Sequence, residues 1–249
     1  MREIILNERE WLMSALENND MGGKPVYAIN LYAKYLLSEG YDKASMKKKI
    51  EEFLLRCDSS VSLVSWDSAI TRAIRCAGDR PLIVVDAVNV TAAEMETISS
   101  ANGIRRQRLM FTLLCLAKYH NAVVGRSDYW TNVETRDLFR MANVDVGNTM
   151  RGLLLNDLIQ CGHITKGRRV DNTNLKINYA DEESISVATV HDFRNLGYQY
   201  TNLIHGGYVE CVECGLLVKK KSNRQIYCPA CARRINAESS RRRYHEPAA

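Results

Sequence analysis

Four cysteines near the C-terminal end constrain this chain more than any other feature. They form two matched pairs, Cys211-Val212-Glu213-Cys214 and Cys228-Pro229-Ala230-Cys231, with thirteen residues between them. A two-residue spacer lets one tight turn deliver two thiolates, and four thiolates complete a tetrahedron around Zn²⁺ at about 2.3 Å. The spacing predicts one structural Zn²⁺ held by Cys211, Cys214, Cys228 and Cys231 in a zinc ribbon over residues 211–249. A shell of four thiolates leaves no open position for water or substrate. Gly215 follows the first pair, where a turn with positive φ is expected. Leu216 to Val218 reads as one ribbon strand, Gln225 to Tyr227 as its partner, and Lys219 to Arg224 as the connection. The other cysteines, Cys57, Cys76, Cys115 and Cys161, are scattered among apolar residues and read as small hydrophobes.

Ligand thiolates must stay reduced, which points to a cytoplasmic setting. No apolar run is long enough to span a bilayer, and no signal-peptide pattern opens the chain, so no membrane partner is expected. With 249 residues, 46% of them hydrophobic and 25% charged, the sequence has material for two or three packed units. The net charge of +5 is unevenly placed. Between Cys211 and Glu246, nine basic residues (Lys219, Lys220, Lys221, Arg224, Arg233, Arg234, Arg241, Arg242 and Arg243) face three glutamates. The remainder of the chain is close to neutral. A basic C-terminal region is the footprint of a polyanion contact, most simply nucleic acid; a solvated terminus is the plainer reading.

Residues 1–100 read as an N-terminal helical unit. Apolar residues recur at helical spacing over 7–18, from Pro25 to Leu37, over about 42–57 and over about 66–76. Pro81 to Val90 is β-branched and reads as extended chain with a short hairpin. Thr91-Ala92-Ala93-Glu94 is a capping box opening a helix to about Ser99.

Over residues 101–190 the order of elements becomes specific. A helix is predicted from Ile104 to His120, with Leu109, Leu113, Leu116 and Ala117 inward. A brief strand follows at Asp128 to Trp130, then a short helix from Val133 to Met141. A turn at 143–147 precedes a helix from Asn148 to Cys161, with Met150, Leu154 and Leu158 inward and Gly162 as its left-handed stop. His163 to Lys166 and Leu175 to Tyr179 then form a hairpin. This is the order of a winged helix-turn-helix domain, and the run from Leu158 to Ile164 resembles the seam between recognition helix and wing in that superfamily. In such a domain the second helix of the turn unit enters the major groove. Its first residues here are Asn148, Thr149 and Arg151; Asn pairs with adenine and Arg with guanine through two hydrogen bonds each. Lys166, Arg168 and Arg169 would sit at the wing beside phosphate. Residues 191–210 read as an aromatic-rich connector that packs this domain to the ribbon.

The stretch His191-Asp192-Phe193-Arg194-Asn195-Leu196-Gly197-Tyr198-Gln199-Tyr200, the Cys-x-x-Cys-Gly knuckle and the turn Met141-Ala142-Asn143-Val144 together resemble a group of uncharacterised phage and mobile-element proteins of Gram-positive bacteria. The resemblance implies a phage or mobile-element setting, in a bacterial or host-cell cytoplasm, and no function.

The expected fold is therefore mainly α with small β elements: a helical unit, a winged helix-turn-helix and a zinc ribbon. The expected function is a non-enzymatic, zinc-containing DNA-binding protein, a transcription regulator or a replication accessory factor. Two alternatives stay open. One is a metal-dependent nuclease: an apolar strand ending in Asp86 and followed by Asn89 resembles the first carboxylate of PIN-like and NYN-like ribonucleases, with Glu94, Glu96, Asp128, Glu134 and Asp137 as further acids. The other is a module that docks on a host or phage protein. No catalytic triad, phosphate-cradling glycine loop or deaminase signature is present.

Overall fold

The structure is a computed structural model; it describes residues 4–167 and 174–245, without the side chains of 242–245. The chain divides into two compact units, one spanning Ile5–Asp86 and the other the residues from Ala87 on. The protein is mainly helical with small antiparallel sheets.

The first unit is four helices: α1 (Glu8–Asn18), α2 (Pro25–Ser38), α3 (Lys43–Cys57) and α4 (Leu63–Cys76). Their starts follow from local chemistry. The Asn7 side chain accepts from the Glu10 amide at 2.9 Å, Pro25 opens α2, and Asp42 accepts from the amides of Ala44 and Ser45. Leu12, Ile29, Leu36, Ile50, Phe53, Leu54 and Ile70 interlock as the core. The segment before Asp86 lies alongside the entry to α1: the Glu8 amide donates to the Ile83 carbonyl at 2.7 Å and Val85 N–H to Leu6 O at 3.1 Å. The buried Glu8 carboxylate accepts from the Ile83 amide at 2.9 Å and the Tyr27 hydroxyl at 3.0 Å.

No hairpin forms over 81–90. Its second half becomes β1 (Val88–Thr91), which pairs antiparallel with β5 (Ser186–Val190), almost a hundred residues downstream. Residues 87–100 thus belong with the second unit, not with the helices before them. The Thr91 capping box opens α5 (Ala92–Ser100) as the sequence predicts.

The second unit is built around α6 (Ile104–Val124), which ends at left-handed Gly125. Every residue from Leu109 to Ala117 is buried, Thr112 and Cys115 included. A helix buried all round needs partners on every side. They are α5, β1, the small sheet beyond it and α9 (Leu196–His205). After α6 come β2 (Trp130–Asn132), α7 (Thr135–Met141), α8 (Asn148–Gln160), β3 (Ile164–Lys166) and β4 (Asn174–Ile177). The sheet order is β2-β4-β3, antiparallel throughout, with Thr131, Leu175 and Ile177 buried against the helices. On α8, Leu154 and Leu158 face the core as predicted, but Met150 is 44% exposed. The helix carries Met150, Leu153, Leu154, Leu155 and Leu158, so its apolar positions run round the axis and do not mark a single face.

The 191–210 stretch is more than a connector. Phe193, Leu196 and Tyr200 are buried, and Tyr200 stacks at 5.5 Å on Phe111 of α6. Gly197 makes this packing possible: a Cβ there would stand 1.8 Å from the carbonyl oxygen of Ala142. The remaining elements are a hairpin of β6 (Tyr208–Glu210) and β7 (Leu217–Lys219), and the terminal helix α10 (Pro229–His245).

Candidate metal centre and basic surface

The first cysteine pair sits at the tip of the β6–β7 hairpin. Cys211 N–H donates to the Leu216 carbonyl at 3.0 Å, and Gly215, at φ +70°, returns its amide to the Cys211 carbonyl at 2.7 Å. β7 therefore pairs with the strand before the knuckle. The predicted partner, Gln225 to Tyr227, forms no strand; Ile226 accepts one bond from Val212 N–H at 3.0 Å. The second pair opens a helix. Pro229 occupies its first position, where a missing N–H is harmless, so Cys231 lies within the first turn of α10. The Cys231 amide points at the Cys228 sulfur, 3.4 Å away.

These two devices bring all four sulfurs within 4.8 Å of one another, with no disulfide among them. The Cys214 and Cys228 sulfurs are 3.8 Å apart. A tetrahedron with metal–sulfur bonds of about 2.3 Å has edges of about 3.8 Å, so the donor set fits one ion. Cys211 and Cys228 are buried, Cys214 and Cys231 partly so. Burial pushes the Cys211 thiol up, but amide donors from Cys228, Cys214 and Glu213 outweigh it and hold the thiol down at about 6. Burial and the crowding of neighbouring sulfurs push Cys231 up to about 12. A cation among these sulfurs relieves that crowding, since coordinated thiols are deprotonated outright.

A polar joint fixes the cysteine hairpin to the body of the unit. The Arg194 guanidinium, paired with Asp192 at 2.7 Å, donates to the Cys214 carbonyl at 2.7 Å. The Asn195 amide donates to Leu217 O at 3.0 Å and accepts at Oδ1 from Asn143 Nδ2 at 3.0 Å. Asn143 Oδ1 in turn accepts from the Tyr198 amide at 3.1 Å. Asn143 and Asn195 both have positive φ, 52° and 56°. Arg108, from α6, completes the joint: Nε reaches Thr201 Oγ1 at 2.8 Å and the guanidinium lies 5.3 Å from the Tyr198 ring centre. The 141–144 turn and the 191–200 run, separate in the sequence, are thus the two halves of one contact. Read along the chain, these side chains have no evident role; the signal for one is a pair of Asn-containing turns beside an arginine.

The basic residues fall into three situations. Lys219, Lys220, Lys221, Arg224, Arg233 and Arg241 are exposed around β7 and along α10, and Arg242 and Arg243 continue that helix. Arg234 is committed elsewhere, bridging Glu213 of the first knuckle at 2.5 Å and Glu238 at 3.5 Å. Arg151 is half-buried: Nε donates to Val146 O at 3.1 Å, a terminal nitrogen to Asn148 Oδ1 at 3.3 Å, and the guanidinium stands 5.7 Å over the Phe139 ring. Asn148 and Thr149 are exposed at the start of α8, and Lys166 at the end of β3. Arg168 and Arg169 lie outside the described residues.

The acids of the nuclease alternative do not gather. Asp86 belongs to the first unit and accepts from Asn7 at 2.8 Å. Glu94, wholly buried, is neutralised by Lys118 at 2.8 Å and accepts from the amides of Thr91 and Asp181 at 2.8 Å each. Among the described residues, the cysteine set is the metal-competent group of three or more His, Cys, Asp or Glu side chains. No helix among them is long and apolar enough to cross a membrane. Comparison with protein-family models, curated proteins and solved structures found no match for the chain.

Proposed function

We propose that the second unit is a winged helix-turn-helix joined to a four-cysteine zinc module, and that the protein binds duplex DNA without catalysing a reaction on it. The observation that carries this reading is topological. Helix α6, strand β2, helices α7 and α8 and strands β3 and β4 follow one another, and β2 closes against β4 to give the order β2-β4-β3. That leaves the N-terminal turn of α8 exposed, as a helix entering the major groove must be. Zinc is the metal that four thiolates suit best. With the second pair on a helix, the module is a knuckle and a helix start clamped together, not two ribbon strands. Exposed lysines at Lys219, Lys220 and Lys221 and the arginines of α10 supply charge for phosphate. Regulation of transcription and accessory work in replication are the roles this suits, in a phage or mobile-element setting and a cytoplasmic location.

The test is affinity for random duplex DNA against salt. Each phosphate neutralised adds about −0.9 to the slope of log K on log salt. Replacing Lys219, Lys220 and Lys221 with Ala together should flatten the slope by about 2 to 3. An unchanged slope, or no shift at any salt, makes protein docking the better reading of this unit.

A further inference from the structure

On the duplex reading proposed above, on which this rests, we infer that α8 reads a run of A·T base pairs, through thymine methyl groups and adenine edges. One stripe of the helix faces away from the core. At 3.6 residues per turn, Thr149, Gly152, Leu153, Asn156 and Gln160 lie on one side, opposite buried Leu154 and Leu158. All five are exposed, Leu153 at 52%. None carries a charge. The two charged residues of α8 turn elsewhere: Arg151 toward Val146 and Phe139, Asp157 toward Arg106 at 2.5 Å. The side-chain amides of Asn156 and Gln160 make no hydrogen bond among the described residues.

Each base shows its own pattern in the major groove. Guanine is met by Arg or Lys, cytosine by Asp or Glu, adenine by Asn or Gln at N6 and N7, and the thymine methyl by an apolar group. The stripe holds neither cation nor carboxylate, so it has no reader for a G·C pair. It holds both halves of the A·T pattern: Leu153 and the Thr149 methyl for thymine, Asn156 and Gln160 for adenine. A helix that docks in a protein groove needs large apolar anchors at i, i+3 or i+4, and i+7; the stripe supplies one, Leu153.

The spacing suits base pairs. Gly152 has open space where a Cβ would stand, so the backbone between Thr149 and Leu153 can come close to the base edges. From Thr149 to Asn156 the stripe rises about 10 Å, the length of about three base-pair steps. Arg151 lies off the stripe, and a guanine drawn to it would border the A·T run.

The test uses the full zinc-loaded chain and duplexes it selects from a random pool, with affinities read by fluorescence anisotropy at fixed salt. The selected duplexes should share a run of about three or more A·T pairs. Replacing thymine with uracil in that run removes only the methyl groups and should weaken binding about three- to fivefold for each methyl in contact. Replacing adenine with 7-deazaadenine removes only the N7 acceptor and should weaken it about two- to tenfold. Leu153→Ala should shrink the difference between thymine and uracil duplexes and keep the difference between adenine and 7-deazaadenine; Asn156→Ala should do the reverse. Both side chains are exposed, so the fold is not at stake, and a melting curve on each variant checks this. Selected sites rich in G·C, no enriched sequence, equal affinity for thymine and uracil duplexes, or differences that neither variant alters overturn the inference and leave the duplex reading standing. No binding to any duplex at any salt overturns both.

Discussion

Replacing Gly197 with Ala should be the most disruptive single methyl group in the second unit. The added Cβ would stand 1.8 Å from the Ala142 carbonyl oxygen and 2.4 Å from its carbon. Even close carbon–oxygen contacts sit at about 3.3–3.6 Å, so α9 or the 142–143 turn must move by about 1.5 Å. Neither can move freely. Leu196 and Tyr200 hold α9 in the core, and Asn143 is fixed by bonds to Asn195 and the Tyr198 amide at 3.0 and 3.1 Å. Overpacking costs about 1–3 kcal/mol, and the two hydrogen bonds add about 0.5–1.5 kcal/mol each. The sum is about 2–6 kcal/mol, or a fall of about 4–24 °C in the melting temperature of a unit this size. Gly152 is the matched control: it lies within α8, and a Cβ there meets nothing within 4 Å. Gly152→Ala should gain about 0.5–1 kcal/mol. Calorimetry of both variants, with hydrogen exchange at Leu196 and Tyr200 to identify the unit that melts, decides the matter. A Gly197→Ala protein melting within about 1 °C of the parent would refute the close approach.

Other outcomes rest on the same geometry. Purified protein should carry one zinc per chain, and a chelator should loosen the hairpin and α10 while amides of α6 keep their protection; four freely titratable thiols in metal-free, fully folded protein would oppose this. Lys118→Met leaves Glu94 buried without its cation and should cost about 3–5 kcal/mol, and Glu94→Gln placed in the same chain should restore part of that, as read by denaturant melts. Asp181 is held down at about 2, below its ordinary 3.8, first by the Ser184 hydroxyl and then by amides and Thr91. Its contribution is therefore complete above about pH 3.8 and lost as the pH falls through about 2, which a carboxyl titration by nuclear magnetic resonance would follow. Arg151→Ala should lose about 1–3 kcal/mol at a preferred DNA site and little on random duplex, measured by competition binding.

Local signals are legible in the sequence. Thr91 and Glu94 mark a capping box, Gly162 sits at a helix end, and the cysteine spacing announces the donor set. Where the structure departs from the sequence reading, the causes differ from place to place. Nothing near Val88 names Ser186 to Val190 as its partner, and nothing near Leu217 chooses between strands on either side. The helix after Cys228 is marked locally, since Pro229 is a first-turn residue. Met150 reads as inward and is not, because six large apolar residues, Ile159 among them, spread around α8 and fit more than one face.

The posture of Arg151 bears on how fast such a protein can search. Its guanidinium rests on Val146, Asn148 and Phe139. On the proposed DNA-binding reading, it must leave all three before it can reach a base. A chain diffusing along the wrong sequence would keep it folded back and ride on phosphate contacts alone, so friction stays low. Only a guanine at the right register would draw it out, and the dwell time at that position would lengthen because the way back requires the same bonds to be remade.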